Sequence, residues 1–220
     1  MYQPQLHATQ VARTAHYALL GEPGNHIRQL WIVTHGYGQL AKTFIQRFVP
    51  IMDAQTLVLA PEGLSRFYWG GFSGPPVASW MTREDRLDEI RDFVTMLDQL
   101  YAAYVPLCHP EVEIILLGFS QGTATQVRWI MHSFPRFDHL LLWAGQLPED
   151  LDYAPHLPYF ANKKLYCAYG DDDPFVTPER LGVMEGIIAA SQLDFQPFNY
   201  AGEHKVETAA LVDWKARFLG

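Results

Sequence analysis

The stretch "LLGFSQGTA", residues 116–124, carries an apolar run into Gly118-Phe119-Ser120-Gln121-Gly122 and then continues in helix-forming residues. A serine stands two residues from a glycine on either side, where a strand should give way to a helix. G-x-S-x-G in that setting is the pattern of a nucleophile elbow, a turn so sharp that only small residues fit around it. Gly118 and Gly122 are expected to let neighbouring backbone approach closely. Ser120 is then driven into a strained conformation with its hydroxyl exposed at the carboxyl end of a sheet.

Outward from the elbow, short apolar runs rich in β-branched and aromatic residues recur at "QLWIVTH" (29–35), "TLVLAP" (56–61), "VEIILLG" (112–118), "DHLLLWA" (138–144), "KLYCAYG" (164–170) and "FQPFNYA" (195–201). Most are continuous rather than alternating, as in strands covered on both faces of a mainly parallel sheet. Between them lie helical patterns. The clearest runs from about 84 to 104, where Leu87, Ile90, Val94, Leu97 and Tyr101 recur at three and four residues and form one apolar face. Thr82 followed by Asp85 resembles a capping box, and Thr177-Pro178-Glu179 offers an N-cap with proline at the first helical position. Further helices are predicted at about 40–49, 121–133, 178–191 and 205–218, with one or two antiparallel edge strands within 1–28. The stretch 66–79, dense in Gly, Pro and aromatics, reads as a loop. Strands alternating with helices predict an α/β fold, a mainly parallel central sheet with helices on both faces, over one domain spanning 1–220.

Composition narrows the function. Apolar residues make up 49% of the 220 and charged residues 18%, ordinary globular usage that permits a large core. Sixteen Lys and Arg against 24 Asp and Glu leave a net charge of −8 without a basic cluster, which disfavours nucleic acid as a partner. No apolar run approaches the roughly 20 residues of a membrane span, and "MYQPQLHATQ" lacks the basic start and apolar core of a signal peptide. A soluble, cytoplasmic protein is expected. Cys108 and Cys167 are too few for a disulfide framework and read as reduced structural thiols. No H-E-x-x-H, paired cysteines, calcium loop, G-x-G-x-x-G or P-loop occurs, so no metal or cofactor is implied.

A serine hydroxyl is a poor nucleophile at neutral pH and needs a histidine base oriented by a carboxylate, expected downstream in the order Ser, acid, His. "YGDDDPFVTPE" (169–179) follows a predicted strand and supplies Asp171, Asp172 and Asp173 in a turn; spacing does not choose among them. "YAGEHKVE" (200–207) follows the last predicted strand and places His204 in the next loop. Glu203 is a further acid, but a sequence neighbour does not readily curl back to the adjacent imidazole. Surface roles are expected for His7, His16, His26, His109, His132, His139 and His156. His35 differs: "THGYG" (34–38) resembles the HG-type loop that gives a backbone N–H to an oxyanion hole. His35 is assigned a structural role there, with the amides of Tyr37 and of Gln121, the residue after the serine, as the two donors.

Taken together, "THGYG", "LAPEG" (59–63), Ser79-Trp80, "GFSQG", "YGDDDPFVTP" and "YAGEHKV" make the chain similar to the phospholipase/carboxylesterase group of α/β-hydrolases, which includes the acyl-protein thioesterases. The pieces span about 29–207 in the family's order. The resemblance implies an α/β-hydrolase fold with Ser120 as nucleophile, Asp173 as acid and His204 as base. It implies oxyanion donation from Tyr37 and Gln121, and hydrolysis of small-molecule carboxylic esters or thioesters in the manner of a carboxylesterase or lysophospholipase. The middle segment, "EGLSRFYWGGFSGPPVASWMTREDR" (62–86), is richer in aromatics and glycine than in the better-known thioesterases. Tyr68, Phe72, Trp80 and Met81 are its expected substrate-binding residues, with packing of the loop onto the sheet as the other reading, and Arg66 is expected in a surface salt bridge ahead of a contact to an anionic substrate group. No lid-sized insertion separates 138–144 from 164–170, which favours small to medium esters over interfacial lipids. Two rivals stand beside this reading: a catalytically silent binding module of the same fold, and an amide or peptide hydrolase, because fold and triad do not fix the leaving group.

Overall fold

The computed structural model describes residues 3–219. The chain runs through β1 (Tyr17–Leu20), β2 (Gln29–Thr34), α1 (Ala41–Phe44) with a 3-10 continuation (Ile45–Ile51), β3 (Thr56–Pro61), β4 (Ser65–Tyr68) and β5 (Pro76–Ser79). It continues through α2 (Arg86–Tyr104), β6 (Glu113–Phe119), α3 (Gln121–Ser133), β7 (His139–Trp143), α4 (Leu157–Phe160), β8 (Lys164–Gly170), α5 (Pro178–Ser191), β9 (Phe195–Tyr200) and α6 (Thr208–Phe218). Seven strands form one sheet in the order β1-β3-β2-β6-β7-β8-β9, parallel throughout except for β1, which runs antiparallel to β3.

The continuous apolar runs are explained by the two layers that cover them. Alternate residues of a strand point to opposite faces, so Leu30, Ile32, Ile114, Leu116, Leu140 and Leu142 meet α2 and α3 through Phe93, Leu97, Val127 and Ile130. Trp31, Val33, Ile115, Leu117, Leu141 and Trp143 face the other way, onto Phe44 and Phe48 and onto Leu211 and Trp214 of α6. Each large side chain so buried stabilises the fold by about 1.5–3 kcal/mol.

Sheet order also positions the site. From β2 the chain steps outward to β3, then returns to β6 on the other flank and proceeds through β7, β8 and β9. The order therefore reverses between β2 and β6, and ligands of open α/β sheets bind at the carboxyl ends of the strands at such a point. The loop after β2 carries His35 and Tyr37, and the turn after β6 carries Ser120.

Several expectations are corrected. The stretch 66–79 is not plain loop: β4 and β5 pair as a separate antiparallel hairpin, with Ser65 opposite Ser79 and Tyr68 opposite Pro76. Helix α2 starts at Arg86, after a left-handed Asp85 that gives no side-chain cap. Thr82 instead donates from its hydroxyl to Glu89 Oε2 at 3.1 Å. Leu87 lies outside the apolar face, 68% exposed, and Phe93 and Met96 complete that face. The helix expected at 40–49 is a single α-turn, because it lacks an N-capping side chain and Pro50 holds the following turns in 3-10 form. One edge strand, β1, forms near the N-terminus, and α6 begins at Thr208. Thr177 does cap α5, accepting from the Arg180 amide at 3.3 Å with Pro178 at the first helical position. Cys108 and Cys167 are unpaired and buried. Among the described residues no helix is long and apolar enough to cross a membrane.

Candidate active site

Ser120 closes β6 and precedes α3 with φ +53° and ψ −116°, a conformation that an L-residue adopts only under constraint. The constraint is visible on both sides. A Cβ on Gly118 would lie 2.4 Å from the Gly122 carbonyl oxygen, and one on Gly122 would lie 2.2 Å from that of Thr34. The Thr34 hydroxyl donates to the Gly122 carbonyl at 2.9 Å, tying the end of β2 to the start of α3, and the Ser120 amide donates to the Trp143 carbonyl at 2.9 Å. The glycines are thus required by backbone approach, as their placement predicts.

Three loops converge on the serine. Its Oγ lies 3.0 Å from His204 Nε2, and His204 Nδ1 lies 2.7 Å from Asp173 Oδ2. An ionised carboxylate can only accept, so Nδ1 carries the proton and Nε2 is left to accept from the hydroxyl. The Asp173 side chain has no exposure, and its Oδ1 accepts from the Phe175 amide at 2.8 Å, which fixes the carboxylate plane. Asp171 and Asp172 are exposed, and Glu203 pairs with Lys205 at the surface instead of turning to His204. The His204 ring sits between Phe119 and Phe175, with centroids 5.0 and 4.7 Å away. Such a chain can draw the proton from the hydroxyl and hold the resulting imidazolium in place.

The β2 loop lies against this group: a Cβ on Gly36 would come within 3.3 Å of Ser120 Cβ. His35 organises it. Its Nδ1–H donates to the Gly36 carbonyl at 2.8 Å while Nε2 accepts from the Gly63 amide at 3.0 Å, an arrangement that needs a neutral ring. Burial lowers its pKa to about 4 and outweighs the Gly36 carbonyl and the Glu62 charge, which act the other way. The Gln39 side chain accepts from the Gly36 amide at 2.9 Å. Among the described residues the Tyr37 amide has no hydrogen-bond partner, and Gln121, at the first position of α3, presents an amide that its own helix cannot satisfy. Its side chain is fully engaged: Oε1 accepts from the Trp80 amide at 3.1 Å and Nε2 donates to the Met81 carbonyl at 2.8 Å. Trp80 in turn donates from its indole to the His35 carbonyl at 2.8 Å.

The cavity that opens on Ser120 and His204 measures about 500 Å³ and lies on the β7–β8 side, between the segment Ala144–Asp150, the loop of Phe175 and Val176, and α5. None of the four expected substrate contacts from the middle segment lines it. Trp80 is 1% exposed and packs between His35 and Phe93; Met81 leans on the core; Tyr68 and Phe72 face solvent, Phe72 wholly. The β4–β5 pairing turns that loop toward Tyr37, whose ring lies 5.1 Å from Phe67 and 5.8 Å from Trp69. Arg66 forms its salt bridge with Glu62, a buried carboxylate that also accepts from the Ala41 amide. The sequence reading did not name the lining of α5, where Leu181, Met184 and Ile187 face the cavity, or Arg128 on α3. His139 departs from its expected surface role: it is buried, bonded to Glu113 Oε1 at 2.9 Å and stacked on Tyr166. The other six expected surface histidines are exposed or half-buried.

No protein-family model matches the chain, and no curated protein matches it in sequence. Solved structures do match in shape. Esterase PE8 superposes with a TM-score of 0.66 at 19% identity, over 94% of this chain and 99% of that one. The fold is that of the α/β-hydrolases. Two further structures of similar shape are the acyl-protein thioesterase 2 of Zea mays and a phospholipase/carboxylesterase from Dyadobacter fermentans. The first has a TM-score of 0.66 at 16% identity, over 94% of this chain and 100% of that one. The second has a TM-score of 0.63 at 15% identity, over 96% and 99%.

Proposed function

We propose that this α/β-hydrolase chain, acting as one domain, is a serine hydrolase of small to medium carboxylic esters and thioesters. The observation that carries the reading is the unbroken relay from Ser120 Oγ through His204 to the buried Asp173 carboxylate, on an elbow whose serine is held at positive φ. Shape likeness to named esterases and a thioesterase supports the bond class.

His204 Nε2 takes the hydroxyl proton as Ser120 Oγ attacks the ester carbonyl, and Asp173 keeps the imidazole in the tautomer that permits this. The carbonyl oxygen becomes an oxyanion beside the Tyr37 and Gln121 amides, the latter at the positive end of α3. His204 then passes its proton to the leaving oxygen or sulfur, and the bond to the acyl carbon breaks. Water, deprotonated by the same imidazole, attacks the acyl-enzyme and releases the acid.

A fluorophosphonate probe tests the assignment. Mass spectrometry should find the adduct on the peptide carrying Ser120, with none in Ser120→Ala. Folded protein that stays unlabelled and turns over neither ester nor thioester would overturn the reading in favour of a silent fold. Matched ester, thioester and anilide rates place the leaving group, and an anilide preference would move the chain to the amidases.

A further inference from the structure

The cavity contains charge that ester hydrolysis does not require. Arg86, Arg128 and Arg180 all line it, against Glu149 and Asp150, so its wall carries excess positive charge in a chain of net charge −8. Arg128 is the unusual member. Its side chain is only 9% exposed, yet a single nitrogen is paired: Nη2 donates to Asp150 Oδ1 at 2.6 Å. Its Nε is buried with no acceptor, whereas its Nη1, without a partner among the described residues, keeps accessible surface and is the donor a ligand can reach. A buried guanidinium with unmet donors is costly unless something supplies the missing oxygens. Asp150 meets only part of that demand, because its second oxygen accepts from Arg86 Nη2 at 3.0 Å. One carboxylate is shared by two guanidinium groups.

We propose that Arg128, with Arg86 beside it, anchors a carboxylate carried by the ester substrate. The inference rests on the reading of Ser120 as nucleophile and names the substrate class of that same site: esters with a free carboxylate a few carbon atoms from the scissile bond. Asp150 demonstrates that the two guanidinium groups accept a carboxylate, and the fork geometry of arginine matches that group. Position fits as well. Arg128 follows Ser120 by eight residues, about 12 Å along α3, and helical side chains lean back toward the N-terminus, which brings the guanidinium toward the serine.

Two matched pairs of esters test this and separate the two halves of the substrate. In the acyl arm, 4-nitrophenyl hemiglutarate is compared with 4-nitrophenyl valerate. In the alcohol arm, the butyryl ester of glycolic acid is compared with that of glycolamide. The charged member should lead by about tenfold or more in kcat/KM in one arm, mainly through a lower KM. Arg128→Gln should bring that ratio down to about one, Arg128→Lys should keep part of it, and Asp150→Asn, which removes the competing carboxylate, should raise it. No preference in either arm, or one that survives Arg128→Gln, overturns the proposal. If Arg128→Gln fails to fold, the half-exposed Arg86→Gln and Asp150→Asn decide: the ratio must fall in the first and rise in the second. Fluorophosphonate labelling and turnover of the neutral esters persist if only this inference fails, and both are absent if the nucleophile assignment itself is wrong.

Discussion

Asp173 shows what a single residue's surroundings decide. Three consecutive aspartates occupy the turn, and only Asp173 has one oxygen on His204 and the other on the Phe175 amide, out of contact with water. Asp173→Asn presents an amide N–H2 or a weaker acceptor to Nδ1 and favours the wrong tautomer, so kcat should drop about 10³–10⁴-fold with the fold retained. Asp171→Asn and Asp172→Asn, both at exposed positions, should change kcat by less than about twofold. Steady-state rates with circular dichroism check all three, and the reverse ranking would move the acid upstream. Order and loop position, which are local properties, brought the choice down to these three, and the family resemblance named Asp173. The last step depends on how the chain closes after β8, which no spacing encodes.

At the scale of elements, the β6–α3 elbow was the most legible part of the chain. Its demand for small residues is written in the sequence, and the clash distances at Gly118 and Gly122 give the reason. Gly122→Ala drives a methyl into the Thr34 carbonyl, where neither strand nor helix can yield, and should cost about 2–3 kcal/mol in urea unfolding. Gly182 is the contrast. It lies within α5, and a Cβ there would meet nothing within 4 Å, so Gly182→Ala should stabilise by up to about 1 kcal/mol. Equal effects of the two substitutions would mean that the elbow is not built this way. The β4–β5 hairpin was illegible for a physical reason: Gly, Pro and aromatic residues mark turns and short edge strands alike, and only the pairing of Arg66 with Ala78 and Phe67 with Val77 separates them. The cavity escaped for another reason. Its walls come from the segment after β7 and from α5, brought together by strand neighbours β7 and β8, and not from the aromatic stretch 62–86.

Across the whole molecule, two buried imidazoles link stability to pH. Burial is the leading cause in both: it takes His35 down to about 4 and lowers His139 against the pull of Glu113. The unfolded chain therefore binds protons that the folded one refuses, and stability falls as pH drops from about 6.5 toward 4. His35 alone contributes a loss of about 3 kcal/mol across that window. Asp53 and Asp150, held low by Lys215 and Arg128, act in the same direction only at more acid pH. Urea unfolding at pH 7 and pH 5 should show the slope, and His35→Gln should flatten it while lowering stability at pH 7. An unchanged slope would mean that His35 accepts a proton in the native state.

The two cysteines carry a practical consequence. Burial pushes both thiols up, Cys167 to about 12, so almost no thiolate exists at neutral pH. The chain should tolerate air without reductant and ignore maleimides. A cysteine placed at Phe72, the fully exposed residue in the turn between β4 and β5, would then take a fluorophore alone, giving an optical readout of the hairpin without removal of either native sulfur.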